Sequence, residues 1–173
     1  MLAYVFFHRA APGVETPAYE TALRGFHSSL SADPPRGFIG SSTYRAGGAY
    51  ADWYLVESSA ALDLLNEAAV DTARSARHDV VAHMSADGAG KLLKLVSGTA
   101  PLGAGFEIRF SKPPGMGYRA LYDQLEPWTS RAGLTLWRRM MVLGPPPEFC
   151  LLAPSEIQLP EEMRPEILRR DPV

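Results

Sequence analysis

The chain is short of cysteine and lysine, and each shortage restricts what the protein can be. A single cysteine, Cys150, excludes an internal disulfide and suits a reducing compartment. Only three of the 17 basic residues are lysines, so arginine carries most of the positive charge. The 173 residues have a formal net charge of -2, without the basic excess of a nucleic-acid-binding domain. We therefore expect one domain, or two small repeats fused into one, that does not bind nucleic acid.

Long apolar runs are also missing. No stretch approaches the roughly 18 consecutive apolar residues that a membrane helix needs. The apolar run at the N-terminus, Leu2–Phe7, is too short for a signal peptide and has no basic residues before it. These features predict a soluble, cytoplasmic protein with no membrane partner.

The four histidines are spaced without a metal-binding pattern. His78 and His83 share a predicted helix but are five residues apart, and no HxH, HxxxH or HExxH motif occurs. The sequence therefore predicts no metal site, and we expect no cofactor.

The second half of the chain repeats the layout of the first. Residues Gly37–Ser59 and Gly133–Ser155 can be aligned without a gap, although few residues are identical. In each segment a strand-like run leads to a turn and then to an acid followed by an aromatic residue, at Asp52 and Glu148. Such a layout is typical of two half-structures that share one core.

Residue patterns predict the order β-α-β-β-α in each half, with an extra strand closing the first. The strands predicted in the first half are Leu2–Arg9, Phe38–Arg45, Tyr50–Glu57 and Lys91–Val96. One helix is predicted to begin with Thr16 as its N-cap and to end at Asp33-Pro34-Pro35, and its apolar stripe is Tyr19, Leu23, Phe26 and Leu30. Another is predicted from Ser58 to about Met84 with a break near Asp71-Thr72. In the second half we predict strands Phe106–Phe110, Leu134–Leu143 and Glu148–Leu152, helices Tyr118–Arg131 and Pro160–Arg170, and a loose tail after them.

This layout resembles the dimeric α/β-barrel superfamily. Its members include antibiotic-biosynthesis monooxygenases, muconolactone isomerases, haem-degrading monooxygenases and EthD-like proteins. The resemblance implies an α+β fold in which two ferredoxin-like β-α-β-β repeats pack their antiparallel sheets into an α/β barrel. We place the first repeat at residues 1–98, the linker at 99–105 and the second repeat at 106–173. The protein would then be a monomer or a homodimer.

Strand alternation predicts which side chains line a cavity inside the barrel. In the first hairpin the mixed polar and aromatic face carries Thr43, Asp52 and Tyr54. A register centred on the glycine turn pairs Thr43 with Asp52, and the equivalent register pairs Arg139 with Glu148. Both acids also fit a simpler interpretation, as solvated hairpin ends with a local salt bridge.

The neighbouring strands add three candidates. Trp137 shares the mixed face of the second hairpin, and Arg109 occupies the matching face of its own strand. His8 lies on the helix side if the strand is regular, whereas a one-residue bulge would send it into the cavity.

The resemblance and the expected cavity together predict a small-molecule-binding protein. The leading hypothesis is a cofactor-independent monooxygenase or isomerase that acts on an aromatic or polyketide-like compound. The candidate catalytic residues, which would move a proton, are His8, Asp52 and Glu148. The candidate substrate-binding residues are Arg109 and Arg139 for an oxyanion, Tyr54 and Trp137 for stacking on a ring, and Thr43.

Two other functions are open. The barrel could be a non-catalytic ligand-binding or structural protein whose interior is filled by its own large side chains, Trp137, Tyr54, Phe7 and Met141. It could also bind or degrade haem, with His78 or His83 and His8 as the expected polar residues. The helix region at residues 64–66 lacks the tryptophan that the haem-degrading relatives carry there.

Overall fold

The computed structural model describes residues 1–71, 74–99, 103 and 105–173. Four α-helices occur in this part of the chain: α1 (Thr16–Ala32), α2 (Ala60–Val70), α3 (Ser75–Met84) and α4 (Tyr118–Thr129). Its nine strands are β1 (Leu2–Ala10), β2 (Phe38–Ala46), β3 (Ala49–Val56), β4 (Ser85–Ser97), β5 (Phe106–Phe110), β6 (Thr135–Arg139), β7 (Phe149–Ala153), β8 (Glu166–Arg169) and β9 (Asp171–Pro172). Within the described residues, no helix is both long enough and apolar enough to span a membrane.

All nine strands belong to one antiparallel sheet in the order β8-β5-β7-β6-β4-β1-β3-β2-β9. The two edge strands, β8 and β9, are separated in the chain only by Arg170. Because neighbouring residues occupy opposite edges, the sheet curls round into a nearly closed barrel, which leaves few unpaired edge groups. The predicted α+β class and barrel-like antiparallel sheet are confirmed.

Most predicted elements are present, with shifted ends. The hairpin pairs Thr43 with Asp52 as predicted. Helix α1 begins at Thr16, after an N-cap at Glu15 rather than at Thr16 itself. Strand β4 is much longer than predicted, because it starts immediately after α3. Residues 100–102 and 104 of the predicted linker, and residue 72 at the predicted helix break, lie outside the described residues, so the domain boundaries stay predictions.

The C-terminal prediction is wrong. In place of a helix over Pro160–Arg170 and a loose tail, the chain forms a short 3-10 turn and then strands β8 and β9. Arg164 adopts a left-handed φ of 50°, and Pro165 follows it, so a regular helix cannot continue here. The backbone N–H of Val173 also donates to the carbonyl of Thr43 at 3.1 Å, which ties the tail to β2.

The buried residues form three groups, one inside the barrel and two under the helices. The interior group contains Trp53 and Trp137, whose rings meet edge to face at 5.5 Å. The second group lies between the outer face of β1–β4 and helices α1–α3. The third lies under α4 in the second half of the chain. Aromatic side chains therefore fill much of the barrel, and the helices cover its outside.

Arg170 lies inside the barrel and contacts side chains of β2, β3 and β5. Its side chain is fully buried, with the guanidinium over the rings of Tyr44 at 3.5 Å and Trp53 at 5.2 Å. Its Nε lies 3.7 Å from Glu107 Oε2. A buried charge needs partners of this kind, because desolvation of a lone guanidinium is very costly.

We expect replacement of Arg170 by methionine to destabilise the fold by about 3–5 kcal/mol, since Glu107 would lose a partner for its buried charge. Arg169→Met is the matched control, because Arg169 is exposed and its pair with Asp171 is worth little. Urea unfolding of both variants measures the difference. An Arg170→Met protein as stable as Arg169→Met would contradict this account of the closure.

Candidate functional site

A buried polar cluster lies on the outer face of the sheet, underneath α1. Its centre is Asp52 of β3, with His8 from β1 and His27 from α1 on either side. These three residues are at most 8% exposed. Buried polar groups of this kind are costly unless they are paired, so the cluster is a candidate site rather than ordinary core.

Four groups surround the Asp52 carboxylate. Thr43 donates to Oδ1 at 2.7 Å, and Tyr54 donates to Oδ2 at 3.3 Å. His8 Nε2 lies 3.2 Å from Oδ2, and His27 Nε2 lies 3.5 Å from Oδ1. Each carboxylate oxygen therefore accepts a hydrogen bond from one hydroxyl and lies within ion-pair distance of one imidazole.

These contacts determine the charge of Asp52. Burial alone would raise the pKa of the carboxyl group, but the hydrogen bonds and charges of His27 and His8 outweigh it and hold the pKa well below its usual range. Asp52 is therefore a carboxylate at neutral pH. A carboxylate with so low a pKa is a poor proton acceptor, and it lies where it can orient the two imidazoles beside it.

A chain of hydroxyl groups leads away from His8. The Tyr19 hydroxyl lies 2.5 Å from His8 Nδ1 and 2.7 Å from Ser85 Oγ. Ser85 Oγ in turn is within hydrogen-bond distance, 2.7 Å, of the Val81 carbonyl. Burial raises the pKa of Tyr19 to about 12, so this phenol keeps its proton at neutral pH.

This chain can hold its protons in two arrangements, because each hydroxyl has one proton to donate. In the first, Ser85 donates to Tyr19, Tyr19 donates to His8 Nδ1, and only Nε2 of His8 carries a proton. In the second, Ser85 donates to the Val81 carbonyl, Tyr19 donates to Ser85, and His8 carries protons on both nitrogens. The two arrangements differ by one proton, so the chain can carry a proton from Ser85 to His8.

Two adjoining cavities open onto this cluster. One, of about 440 Å³, is largely apolar and lies between the sheet and helices α1–α3. The other, of about 340 Å³, includes Asp52 and Ser85 in its lining. Both are lined by Phe6, Phe26, Tyr54 and His78. We call the two together the outer cleft: an aromatic pocket with polar groups at one end, as small-molecule sites commonly have.

The structure brings four of the predicted site residues together, but on the other face of the sheet. His8, Thr43, Asp52 and Tyr54 form one cluster, yet the prediction that the mixed face of the first hairpin lines the barrel interior is wrong. Alternation separates the two faces correctly but does not say which face is inside. The bulky apolar face, with Trp53, fills the interior instead. His8 stays on the helix side despite a register shift between Phe7 and Arg9.

The other predicted site residues are placed elsewhere. Trp137 and Arg109 contact residues of the barrel interior. Arg139 lies opposite Glu148, as predicted, and its backbone N–H donates to the Glu148 carbonyl at 2.7 Å. The Glu148 carboxylate, however, accepts a hydrogen bond from Tyr118 of α4, at 2.5 Å. The Arg139 side chain donates instead to the Gly144 carbonyl, at 2.9 Å, and forms no ion pair with Glu148 among the described residues.

Sequence reasoning missed three members of the cluster. Tyr19 was assigned only to the apolar stripe of α1, and His27 and Ser85 had no role. Tyr19, Leu23 and His27 are spaced by four residues, so they share one face of the helix. That spacing could have placed the polar ends of Tyr19 and His27 above the sheet. Ser85 has no such signal, because its place depends on where α3 meets β4.

His78 lines both cavities of the outer cleft. His83 instead lies 2.6 Å from the Asp79 carbonyl within its own helix. Among the described residues, no group of three or more histidine, cysteine, aspartate or glutamate side chains is arranged to hold a metal ion.

Comparison with known proteins identifies structural neighbours only. No protein-family model matches the chain, and no curated protein matches it in sequence. The fold is similar to that of an anthrone oxidase-like protein, with a TM-score of 0.61 and 10% identity over 99% of this chain and 91% of the other. It is also similar to a candidate monooxygenase from Lactobacillus acidophilus NCFM, with a TM-score of 0.57 and 9% identity over 99% and 93% of the two chains. At this identity the likeness shows a shared fold.

We predict that the Asp52 carboxylate stabilises the folded protein in a pH-dependent way. Because its pKa is lowered on folding, the stabilisation is fully present above the unfolded value of about 3.9 and decreases as the pH falls below it. The unfolding free energies of wild type and Asp52→Asn, measured at about pH 5 and about pH 3, should therefore converge at the lower pH. Asp123→Asn, at an exposed position, is the control and should show no such convergence.

Proposed function

We propose that this protein is a cofactor-independent monooxygenase or isomerase that acts on an aromatic, polyketide-like compound in the outer cleft. The observation that carries this proposal is the chain from Ser85 through Tyr19 to His8, backed by the Asp52 carboxylate. It connects a polar end of an aromatic-lined cleft to a buried imidazole. A site of that kind can remove a proton from a bound substrate and retain it.

We further infer that the chain consists of two ferredoxin-like units. The strand order of the first half, β4-β1-β3-β2, has the same relative arrangement as β8-β5-β7-β6 in the second. Strand β8 takes the position that β4 has in the first half, and it replaces the C-terminal helix expected from the sequence. This supports an internal duplication within the antibiotic-biosynthesis-monooxygenase-like superfamily, to which the two structural neighbours also point.

The shape and lining of the outer cleft favour a flat, largely apolar ligand. Three aromatic side chains, Phe6, Phe26 and Tyr54, line both of its cavities. Tyr4 lines the larger cavity, and burial raises the pKa of its hydroxyl group, which therefore stays protonated at neutral pH as a donor to a ligand oxygen. A fused-ring ketone with an acidic methylene group, such as anthrone, fits this combination and the name of one structural neighbour.

The proposed reaction begins with removal of a proton from that methylene group. The resulting enolate keeps the electron pair of the broken C–H bond and reduces molecular oxygen, forming a carbon-bound peroxide. Loss of water from the peroxide, with the second methylene hydrogen, leaves a new carbonyl group. One oxygen atom thus enters the product and the other leaves as water, and the substrate supplies all the electrons. An isomerase would instead return the proton to another carbon of the enolate.

Each residue has one task in this scheme. Ser85 takes the substrate proton as it passes its own to Tyr19, and Tyr19 passes its own to His8, which changes the chain from the first proton arrangement to the second. Asp52 holds His8 in the correct orientation and balances its new positive charge. Thr43 and His27 position the carboxylate from its other side. Arg109, Arg139, Trp137 and Glu148 have no task in this scheme.

We predict that oxidation of anthrone falls about 100-fold or more in His8→Gln and Asp52→Asn, because the proton loses its acceptor or the acceptor loses its counter-charge. The measurement is oxygen consumption with anthrone, corrected for the spontaneous reaction. Asp123→Asn, which is exposed and distant in sequence from the cluster, serves as the matched control for loss of an aspartate charge.

Anthrone binding separates catalysis from recognition. Ligand affinity in Asp52→Asn should stay within about threefold of wild type, while Ala69→Phe, which fills the larger cavity, should abolish binding. Binding by wild type without turnover would favour the non-catalytic ligand-binding alternative. Binding that survives Ala69→Phe would place the ligand outside the outer cleft.

A further inference from the structure

A second cluster of charged side chains lies on the opposite face of the sheet, and the proposed reaction does not use it. Lys91 of β4 and Arg109 of β5 both approach the ring of Phe7, at 5.3 Å and 4.7 Å from its centre. Arg139 of β6 donates to the carbonyl of Gly144, which packs directly against Lys91. These three cations therefore converge at one end of the barrel.

The nearby carboxylate of Glu107 already has two arginine partners. Glu107 accepts a hydrogen bond from Arg109 Nε at 2.5 Å, and its other oxygen lies 3.7 Å from Arg170. Glu166, opposite Arg109 on β8, is exposed. Burial raises the pKa of the Cys150 thiol well above its usual range, so Cys150 adds no negative charge. The cluster therefore has more positive than negative charge.

Lys91 has no carboxylate partner within the described residues. It is only 6% exposed, and its ammonium group donates to the backbone carbonyl of Pro147 at 3.1 Å. Burial lowers the pKa of Lys91, and the charge of Arg109 and then that of Arg139 lower it as well. A buried ammonium held mainly by a neutral carbonyl is costly, and an anion would remove much of that cost.

Arg139 is only partly satisfied too. One of its terminal nitrogens donates to the Gly144 carbonyl at 2.9 Å. Its Nε is buried and, among the described residues, makes no hydrogen bond. Arginine normally binds carboxylate or phosphate through two donors of its planar fork, and here one donor is unused.

The loop between β6 and β7 provides both carbonyls and lies over the cations. Its carbonyls at Gly144 and Pro147 occupy the positions where an anion would bind Arg139 and Lys91. The loop also carries three exposed apolar side chains, Met141, Val142 and Leu143, at 83%, 82% and 49% exposure. These three side chains bury little apolar surface, whereas the loop backbone is held to β4 by a hydrogen bond from the Leu92 N–H to the Leu143 carbonyl at 3.1 Å. An oxyanion therefore needs to replace only the carbonyls of Gly144 and Pro147, with the loop still attached at Leu143.

We propose that Lys91 and Arg139, with Arg109 beside them, bind a small oxyanion, a carboxylate or phosphate group, under the β6–β7 loop. The site is separate from the outer cleft, because the sheet lies between them. It needs neither His8 nor Asp52, so it stands independently of the proposed function.

The test is calorimetric titration of the intact protein with inorganic phosphate and, separately, with acetate, at low ionic strength. We expect saturable one-site binding of at least one anion, weakened about tenfold or more in Lys91→Met and in Arg139→Gln. Arg138→Gln is the matched control, because Arg138 is adjacent in β6 but points to Tyr122 and Tyr118 on the outer side. Binding in Arg138→Gln and in Asp52→Asn should stay within about twofold of wild type.

Thermal unfolding provides a second readout that a purely structural role would not produce. Without added anion, Lys91→Met should be at least as stable as wild type, because it removes an uncompensated buried charge. The anion should raise the melting temperature of wild type but not of Lys91→Met. The proposal is overturned if neither anion binds wild type saturably, or if Arg138→Gln weakens binding as much as Arg139→Gln. If Lys91→Met does not fold, Arg139→Gln decides alone.

Discussion

The buried guanidinium of Arg170 is the interaction on which the barrel depends. It stands between two strands that are neighbours in sequence but occupy opposite edges of the sheet. Its contacts with Tyr44, Trp53 and Glu107 join β2, β3 and β5 across the interior. A hydrophobic side chain could fill the same space, but it could not satisfy Glu107. Arg170 therefore both holds the sheet closed and balances the charge of Glu107 inside it.

Closure has a consequence for where a ligand can bind. Because the interior is occupied by Trp53, Trp137 and Arg170, the outer cleft forms on the other side of the same strands, between the sheet and its helices. Strand β3 serves both sides, since Trp53 points inward and Asp52 and Tyr54 point outward. The rigid interior thus fixes the backbone that holds Asp52, as a precise polar site requires.

The two faces handle buried charge differently. On the outer face, one carboxylate is enclosed by two imidazoles and two hydroxyls, so Asp52 is fully satisfied. At the end of the barrel interior, Lys91 and Arg139 rely on backbone carbonyls of the β6–β7 loop. Completely paired charge favours a rigid, preorganised centre, whereas charge held by neutral groups favours exchange with an incoming anion.

The sequence by itself determined most element types before residue 160, the register of the first hairpin and the α+β class, because these depend on local periodicity and turn residues. It paired Thr43 with Asp52 correctly. Its choice of His8, Asp52 and Tyr54 as site residues stays a prediction. Only the tertiary structure decided which face of the first hairpin lies inside, because alternation gives two faces without an order. The tertiary structure also decided that the C-terminal segment forms strands β8 and β9 and no regular helix. These strands pair with β5 and β2, which are far away in sequence. Tyr19, His27 and Ser85 joined the cluster for the same reason: contacts between distant segments bring them to Asp52 and His8.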